Sequence, residues 1–452
     1  MPEFLTLLPP DEARSLLLRN LPDVGPASET IDTLQALGRV TAEDLTAPHP
    51  LPEFPRSTVD GYAVRARDTF GASDSLPAYL TVIGEVPMGG SADFSLQPGQ
   101  TAVIHTGGML PSGADAVVML EYTQIVNRRD RQDRGEKTIE NPAVSANSAI
   151  GFDEIETMRA VADGENVIRV GEDVAEGQVI LPKGSLIRPA EIGGLMALGI
   201  TSLRVASKVN VGIISSGDEV VEPSVRPGPG QVRDVNSYTL SALVGKSGGE
   251  ARRYGIVGDT FEALQTVAAK ALAETEVLVI TAGSSASTRD MTAEVIASLG
   301  QPGVLVHGIN TRPGKPTILG VCGGKPVIGL PGNPVSALVN GYMLLVPVME
   351  RLMGVRPRPR PVVRARLTVN LASQAGREDW WPVKLVRIQN SEIGIQNLPI
   401  ENRDSEIVNY LAEPVFGKSN LIFSLAASDG LLKIPPDATG LSAGELVEVM
   451  LV

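Results

Sequence analysis

A chain of 452 residues exceeds what a single hydrophobic core serves, so roughly two to four domains are expected. Apolar residues at 43% and charged residues at 20% exclude disorder as the main state, and aromatics at only 4% require cores built of Val, Leu, Ile and Ala. Asp and Glu outnumber Lys and Arg by 52 to 39, and the net charge of -13 excludes a nucleic-acid or anionic-membrane footprint over the whole surface while leaving room for a local basic pocket.

The opening "MPEFLTLLPPDEARSLLLRN" carries acids and prolines where a secretory signal needs a basic start and an unbroken apolar run, so secretion is not expected. Apolar spacing predicts helix from Pro10 to Leu37, with Asp11 and Ser28 as caps, until the proline-rich "TAPHPLPEFPRS" breaks the pattern near residue 50. Residues 58–155 alternate in the strand manner between the turn signals "PMGGSADF", "QPGQ" and "PSGAD", which predicts a compact β domain. Within it "NRRDRQDRGEK", 127–137, reads as a solvated hairpin tip rather than a nucleic-acid arm, because its acids dilute the charge. Residues 165–206 are turn-rich, with a helix beginning near Pro189.

From 208 to 353 the rhythm changes to strand then helix: "VNVGIIS", "SYTLSALVGKSG", "FEALQTVAAKAL", "VLVITAG", "MTAEVIASLG", "PVIGL" and "PVSALVNGYMLLVPVMERLMG". Such alternation predicts a mostly parallel sheet wrapped by helices. The apolar stretch Val335 to Met349, interrupted by Asn340 and Pro347, falls short of the ~20 residues a bilayer requires and reads as a buried helix. "GVRPRPRPVV", 354–363, is a stiff connector to a final β domain. The single cysteine, Cys322, forms no internal disulfide, which fits a reduced, cytoplasmic compartment.

In an open parallel sheet, ligands bind beyond the carboxyl ends of the strands. Three loops meet that description. "IISSGDEVVEP" offers Ser215, Ser216 and Gly217, with Asp218 and Glu219 as hard oxygen ligands suited to magnesium; read singly, a turn with an acidic helix cap explains it better. "VLVITAGSSASTRDMT" can cradle a phosphate at a helix start or simply turn. In "INTRPGKPTILG" followed by "VIGLPGNPVSALV", Arg312 and Lys315 flank a Pro-Gly turn, and Asn333 before Pro334 is a strong helix start. Three such loops on one sheet edge favour a phosphorylated ligand. His49, His105 and His307 are too few and scattered for a zinc site, and no Ser-His-Asp spacing is defensible. Asp60, Thr106, Asp115 and Glu121 sit beside glycines, where tight turns are the plain explanation.

"STVDGYAVRARD", "TGGMLPSGADAVVMLE", "GEDVAEGQVILPKG", "GIISSGDEV", "RDVNSYTL", "INTRPGKPTILG" and "GLPGNPVSA" occur in the order and spacing of the molybdopterin molybdenumtransferases, and over residues 10–450 the chain resembles this MoeA and gephyrin E-domain family. The resemblance implies a multidomain α/β plus β architecture: an elongated discontinuous domain (1–50 and 156–206), an inserted β domain (51–155), a central MogA-like, three-layer molybdopterin-binding α/β domain (207–355) and a C-terminal β-barrel-like domain (356–452). It also implies a cytoplasmic homodimer in which the β domain of one subunit faces the α/β domain of the other. The implied reaction takes adenylylated molybdopterin and molybdate and, with magnesium, gives molybdenum cofactor and AMP.

By the same resemblance Asp60, Glu219 and Asp290 take metal or reacting-centre duties, and Arg312 and Lys315 hold molybdate or phosphate oxygens. Thr106, Ser216, Gly217, Gly283, Ser284, Pro331, Gly332, Asn333, Ser336 and Ser419 line the pterin and phosphate pocket. Asp234 and Asn236 are further pocket candidates, with helix capping as the better plain explanation. Other molybdenum cofactor biosynthesis proteins are the expected partners, with neither nucleic acid nor membrane. "AGSSASTRD" departs from the family's S-G-G-V-S-V-G pattern, putting Ser284 and Thr288 where glycines are usual; Arg312 replaces a lysine, and "FGKSN" replaces a Gly/Ser-rich turn. A non-catalytic molybdopterin-binding scaffold and a tungsten-selective insertase are the alternatives.

Overall fold

The computed structural model describes residues 7–23, 25–126, 154–282, 286–388 and 409–452. The hairpin expected at 127–137 lies outside the described residues. The chain packs as two compact units: Met1–Glu43, Lys183–Arg188 and Ser202–Val452 form the first, and Asp44–Pro182 with Pro189–Thr201 form the second. This division is coarser than the four expected parts.

The first unit is built on a six-stranded sheet in the order Glu250–Val257, Asn210–Ser216, Val277–Ala282, Lys325–Pro331, Ile318–Cys322, Pro302–His307. The first four strands are parallel, Ile318–Cys322 runs antiparallel to both of its neighbours and Pro302–His307 runs with the first four, so the sheet is mostly parallel as expected. Alternation along each strand sends side chains to opposite faces. Val211, Ile213, Val277, Val279, Ile328 and Leu330 join one core, which takes in the helices Pro10–Arg19, Asn236–Lys246 and Pro334–Leu352. Ile214, Leu278, Ile280 and Val327 join the other core, beneath Phe261–Glu274 and Ala286–Ser298, which makes the domain three-layered.

The helix Pro334–Leu352, 19 residues, is long and apolar enough to cross a membrane by length and composition, but 61% of its apolar window is buried and it packs as a core helix. Its middle, Gly341–Leu345, is a π turn. Pro347 explains the widening, because it has no N–H to offer Met343 and its ring crowds that carbonyl.

The helix expected from Pro10 to Leu37 is corrected to Pro10–Arg19. Pro22, Gly25 and Pro26 break it, and Ser28–Asp32 is a strand paired antiparallel with Ser202–Ala206. Neither expected cap acts as one: Pro9 occupies the N-cap, Asp11 sits in the first turn paired with Arg14, and Ser28 begins the strand.

After the Pro-rich connector, Val362–Leu367, Glu378–Arg387, Tyr410–Pro414, Gly430–Ile434 and Leu446–Leu451 close into a five-stranded barrel filled by residues such as Leu367, Val383, Leu432 and Val449. A short strand from the α/β region, Thr311–Arg312, pairs in parallel with Glu378–Asp379 of the barrel. That pairing fixes where the Arg312 loop lies.

The second unit carries a mixed six-stranded sheet in the order Ala116–Met119, Gly61–Val64, Gln100–Ile104, Ala78–Glu85, Glu154–Thr157, Thr123–Val126. Tyr62 and Val64 face one core and Ala63 the other, as strand alternation requires. Its helix Pro189–Ala197 begins where the sequence predicts.

Candidate active site

Two neighbouring strands deliver the first group of polar residues. After Asn210–Ser216, the Ser215 Oγ donates to Asp234 Oδ2 at 2.9 Å, and Ser216 Oγ donates to Asp259 Oδ1 at 2.7 Å. Gly217 has φ +151, a conformation that side chains rarely adopt, so glycine is favoured there. Asp234 is buried and also receives Ser237 Oγ at 2.6 Å and Ser237 N at 3.1 Å, so it anchors the start of Asn236–Lys246. Asn236 donates from Nδ2 to Gly332 O at 2.9 Å, while its buried Oδ1 has no partner among the described residues. An acceptor left open beside a ligand loop is one that a ligand N–H can fill.

The second group surrounds a cavity of about 680 Å³ between the Arg312 loop, the start of Pro334–Leu352 and the barrel. Four cations line it, Arg312, Lys315, Arg377 and Lys418, together with both tryptophans of the chain, Trp380 and Trp381. Among the described residues no Asp or Glu lines it. The loop is held rigidly: Thr311 Oγ1 donates to Glu378 O at 3.1 Å, and Asn340 Nδ2 donates to Gly314 O at 3.1 Å and Thr317 Oγ1 at 2.6 Å. Gly314 has φ +103 and a Cβ there would run into the Asn340 amide, so only glycine fits.

Behind the cavity, Asp379 is fully buried and accepts two hydrogen bonds from Arg377, with Arg312 at 4.0 Å. The Arg312 guanidinium also lies 5.4 Å from the Trp381 ring centroid. Glu378, likewise buried, accepts from Trp380 Nε1 at 2.7 Å and pairs with Lys433 at 2.6 Å. Among the described residues Lys315 and Lys418 have no ion-pair partner. The result is positive charge fixed over flat apolar walls in a protein that is negative overall, which suits an anion carrying a planar ring.

Asn333 does not cap its helix with its side chain; Nδ2 donates to Ser419 Oγ at 3.0 Å, and Val335 N donates to Ser419 O at 3.0 Å. Pro331, Asn333, Ser336, Arg312, Lys315 and Ser419, all expected in the site from sequence, therefore line one cavity. Gly332 adjoins it through its bond to Asn236. Ser216, Gly217, Glu219, Asp234 and Asn236 stand at the strand ends, outside the cavity lining. Gly283 and Ser284 lie outside the described residues, and Asp290 is exposed on Ala286–Ser298. Sequence reasoning missed Arg377, Lys418 and the tryptophan pair; the signal was "REDWW", a cation and two acids beside the only tryptophans in the chain.

In the second unit, Asp60 Oδ1 accepts from Thr106 N at 2.8 Å and Thr106 Oγ1 at 3.2 Å. The Thr106 backbone N–H is the main cause holding the Asp60 carboxyl below its ordinary value. His105 stands between carboxylates, 2.8 Å from Glu85 Oε1 and 3.8 Å from Asp60 Oδ1. Asp115 accepts from Ala66 N at 2.5 Å and so serves a turn. Among the described residues no three His, Cys, Asp or Glu side chains converge as a metal cage. Glu219 and Asp290 are both exposed carboxylates.

Known proteins resemble this chain along most of its length. The MoeA N-terminal region (domains I and II) matches residues 8–199, a probable molybdopterin binding domain matches 212–351, and the MoeA C-terminal region (domain IV) matches 402–452. The chain is similar to a putative molybdopterin biosynthesis protein of Methanocaldococcus jannaschii, with 34% identity covering 98% of each chain. To molybdopterin molybdenumtransferase 2 of Mycobacterium tuberculosis it is 30% identical, covering 93% of this chain and 94% of the other. Two crystal structures of a molybdopterin biosynthesis MoeA protein from Pyrococcus horikoshii are similar in fold. One has a TM-score of 0.73 at 35% identity, covering 99% of both chains; the other has 0.77 at 30%, covering 99% of this chain and 100% of that one.

Proposed function

Since the chain belongs to the molybdopterin molybdenumtransferase (MoeA) family, we propose that its cation-lined cavity receives molybdate beside adenylylated molybdopterin, and that molybdenum insertion releases AMP. The chain is an enzyme of molybdenum cofactor biosynthesis. The observation that carries the proposal is the cavity itself: among the described residues its lining holds four cations, two indoles and no carboxylate.

The residues divide the work. Arg312, Lys315 and Arg377 bind the oxyanion, with Asp379 orienting the guanidinium of Arg377. Asn333, Ser336 and Ser419 supply hydrogen bonds to phosphate or oxyanion oxygens, and Asn236 Oδ1 accepts from a ligand N–H. Ser216, Gly217 and the 283–284 backbone shape the strand-end loop. Magnesium, when bound, supplies charge neutralisation around the pyrophosphate oxygens. Glu219 and Asp290 would hold it, joined by Asp60 and Thr106 of the partner subunit in a homodimer. A thiol as buried as Cys322 and the core packing of Pro334–Leu352 agree with a cytoplasmic setting.

The test is to incubate purified protein with adenylylated molybdopterin, magnesium and molybdate and to follow AMP. Release should require both the metal and the oxyanion and should fall at least tenfold, roughly, in Glu219→Ala. Tight ligand binding without turnover would instead identify a non-catalytic molybdopterin carrier. Tungstate run in parallel measures oxyanion preference.

A further inference from the structure

A second cavity, about 400 Å³, opens in the first unit and shares no lining residue with the candidate site. Its floor is apolar, formed by Val40, Leu186, Val346, Met353 and Met450. Over that floor stand three cations, Lys246 from the end of Asn236–Lys246 and Arg358 and Arg360 from the Pro-rich connector. Arg358 and Arg360 both line this cavity, which gives the "RPRPR" run a role beyond spacing.

Charge in this cavity is incompletely neutralised. Among the described residues Glu350 is the one acidic side chain in the lining, which also includes the last residue of the sequence, Val452, and it pairs with Arg360 at 3.1 Å. Among the described residues Lys246 and Arg358 have no ion-pair partner; the Lys246 ammonium lies 5.8 Å from the Tyr342 ring centroid. The Tyr342 hydroxyl likewise has no hydrogen-bond partner among the described residues. Burial pushes its pKa above the ordinary value, so at neutral pH it stays a neutral donor. The carbonyls at the adjoining helix end do not repel an anion freely, because Ser247, Gly248 and Gly249 N–H groups cap them. Tyr342 also belongs to the π turn Gly341–Leu345, a distortion that recurs at functional sites.

We propose that this cavity is a second ligand site, for a small amphiphilic anion whose acidic head meets Lys246, Arg358 and the Tyr342 hydroxyl while its apolar body covers Val346, Met353 and Met450. The volume lies within the roughly 300–1,000 Å³ range of small-molecule sites. The helix lining it is the one whose other end lines the candidate site, through Val335 and Ser336, and whose Asn340 braces Gly314. The ligand is therefore distinct from the substrate but bound to the same rigid element.

The probe is octanoate, titrated by calorimetry into the full chain, with octanamide as its neutral counterpart. Octanoate should bind saturably at one site per chain, at least about tenfold more tightly than octanamide. The double variant Lys246→Gln, Arg358→Gln alters two exposed side chains and should melt like the parent, yet weaken octanoate by about tenfold. Arg377→Ala, which disables the first cavity, should leave octanoate binding unchanged. Absence of saturable binding, equal affinity for octanamide, unchanged affinity in the double variant, or loss in Arg377→Ala would each overturn the proposal.

Discussion

Arg377 grips Asp379 through two parallel hydrogen bonds, Nε to Oδ1 at 2.6 Å and Nη2 to Oδ2 at 2.9 Å, on a carboxylate with no solvent exposure. The pairing raises the Arg377 pKa and fixes the plane of its guanidinium toward the cavity. Asp379→Asn keeps the shape but removes the charge. Breaking a buried pair of this kind costs about 3 kcal/mol, measurable as a lower urea midpoint. Because Asp379 acts through Arg377, the molybdate KM should rise more than kcat falls, a split that general destabilisation would not produce.

Gly314→Ala tests the rigidity of the cation loop. A side chain at φ +103, directed at Asn340, should cost about 1–3 kcal/mol and break the bonds from Asn340 to Gly314 and Thr317. Molybdate affinity should fall although no cation has been changed. Isothermal titration of the folded variant checks this.

Asp60 titrates, on this account, below the usual aspartate value of 3.8, chiefly because Thr106 N–H donates to it. Thr106→Val removes the hydroxyl but keeps the backbone N–H. An NMR titration of the Asp60 carboxyl should therefore stay below 3.8 in that variant, moving up only part of the way. A return to the ordinary value would mean that the hydroxyl, not the backbone, holds the charge.

Burial raises the Cys322 thiol to about 11, from 9.0, and burial with a hydrogen bond to Glu274 raises Tyr254 to about 12, from 10.0. Both groups are held protonated in the fold more firmly than in the unfolded chain. Their contribution is complete below pH 9 and is lost progressively as pH rises through 9 to 12, so unfolding free energy should decline across that window. Iodoacetamide should leave Cys322 unmodified at pH 8 until denaturant is added.

The layers of the α/β domain were legible because each parallel strand is a continuous apolar run and each helix has its period, and the loops at the strand ends followed from that topology. Arg312, Lys315, Asn333 and Ser336 were legible as candidates because they cluster in sequence around two short loops, and all four line one cavity. Arg377, Lys418 and the tryptophans were not, because the barrel brings them in through the pairing of Thr311–Arg312 with Glu378–Asp379, a contact across more than sixty positions that no local pattern announces. The helix overrun to Leu37 arose the same way: apolar spacing from Ser28 to Leu37 resembles a helix until Ser202–Ala206 arrives to pair with it. Asp234 read as either a ligand or a cap, and its three donors show it engaged within the fold.

The central claim is where the oxyanion sits, and the most direct measurement is anomalous scattering from a crystal of this protein soaked in tungstate, a heavy stand-in for molybdate. One strong peak is expected in the cavity, within hydrogen-bond reach of Arg312, Lys315 and Arg377 and near Ser419. A peak beside Asp60, or elsewhere with that cavity empty at saturating tungstate, would contradict it.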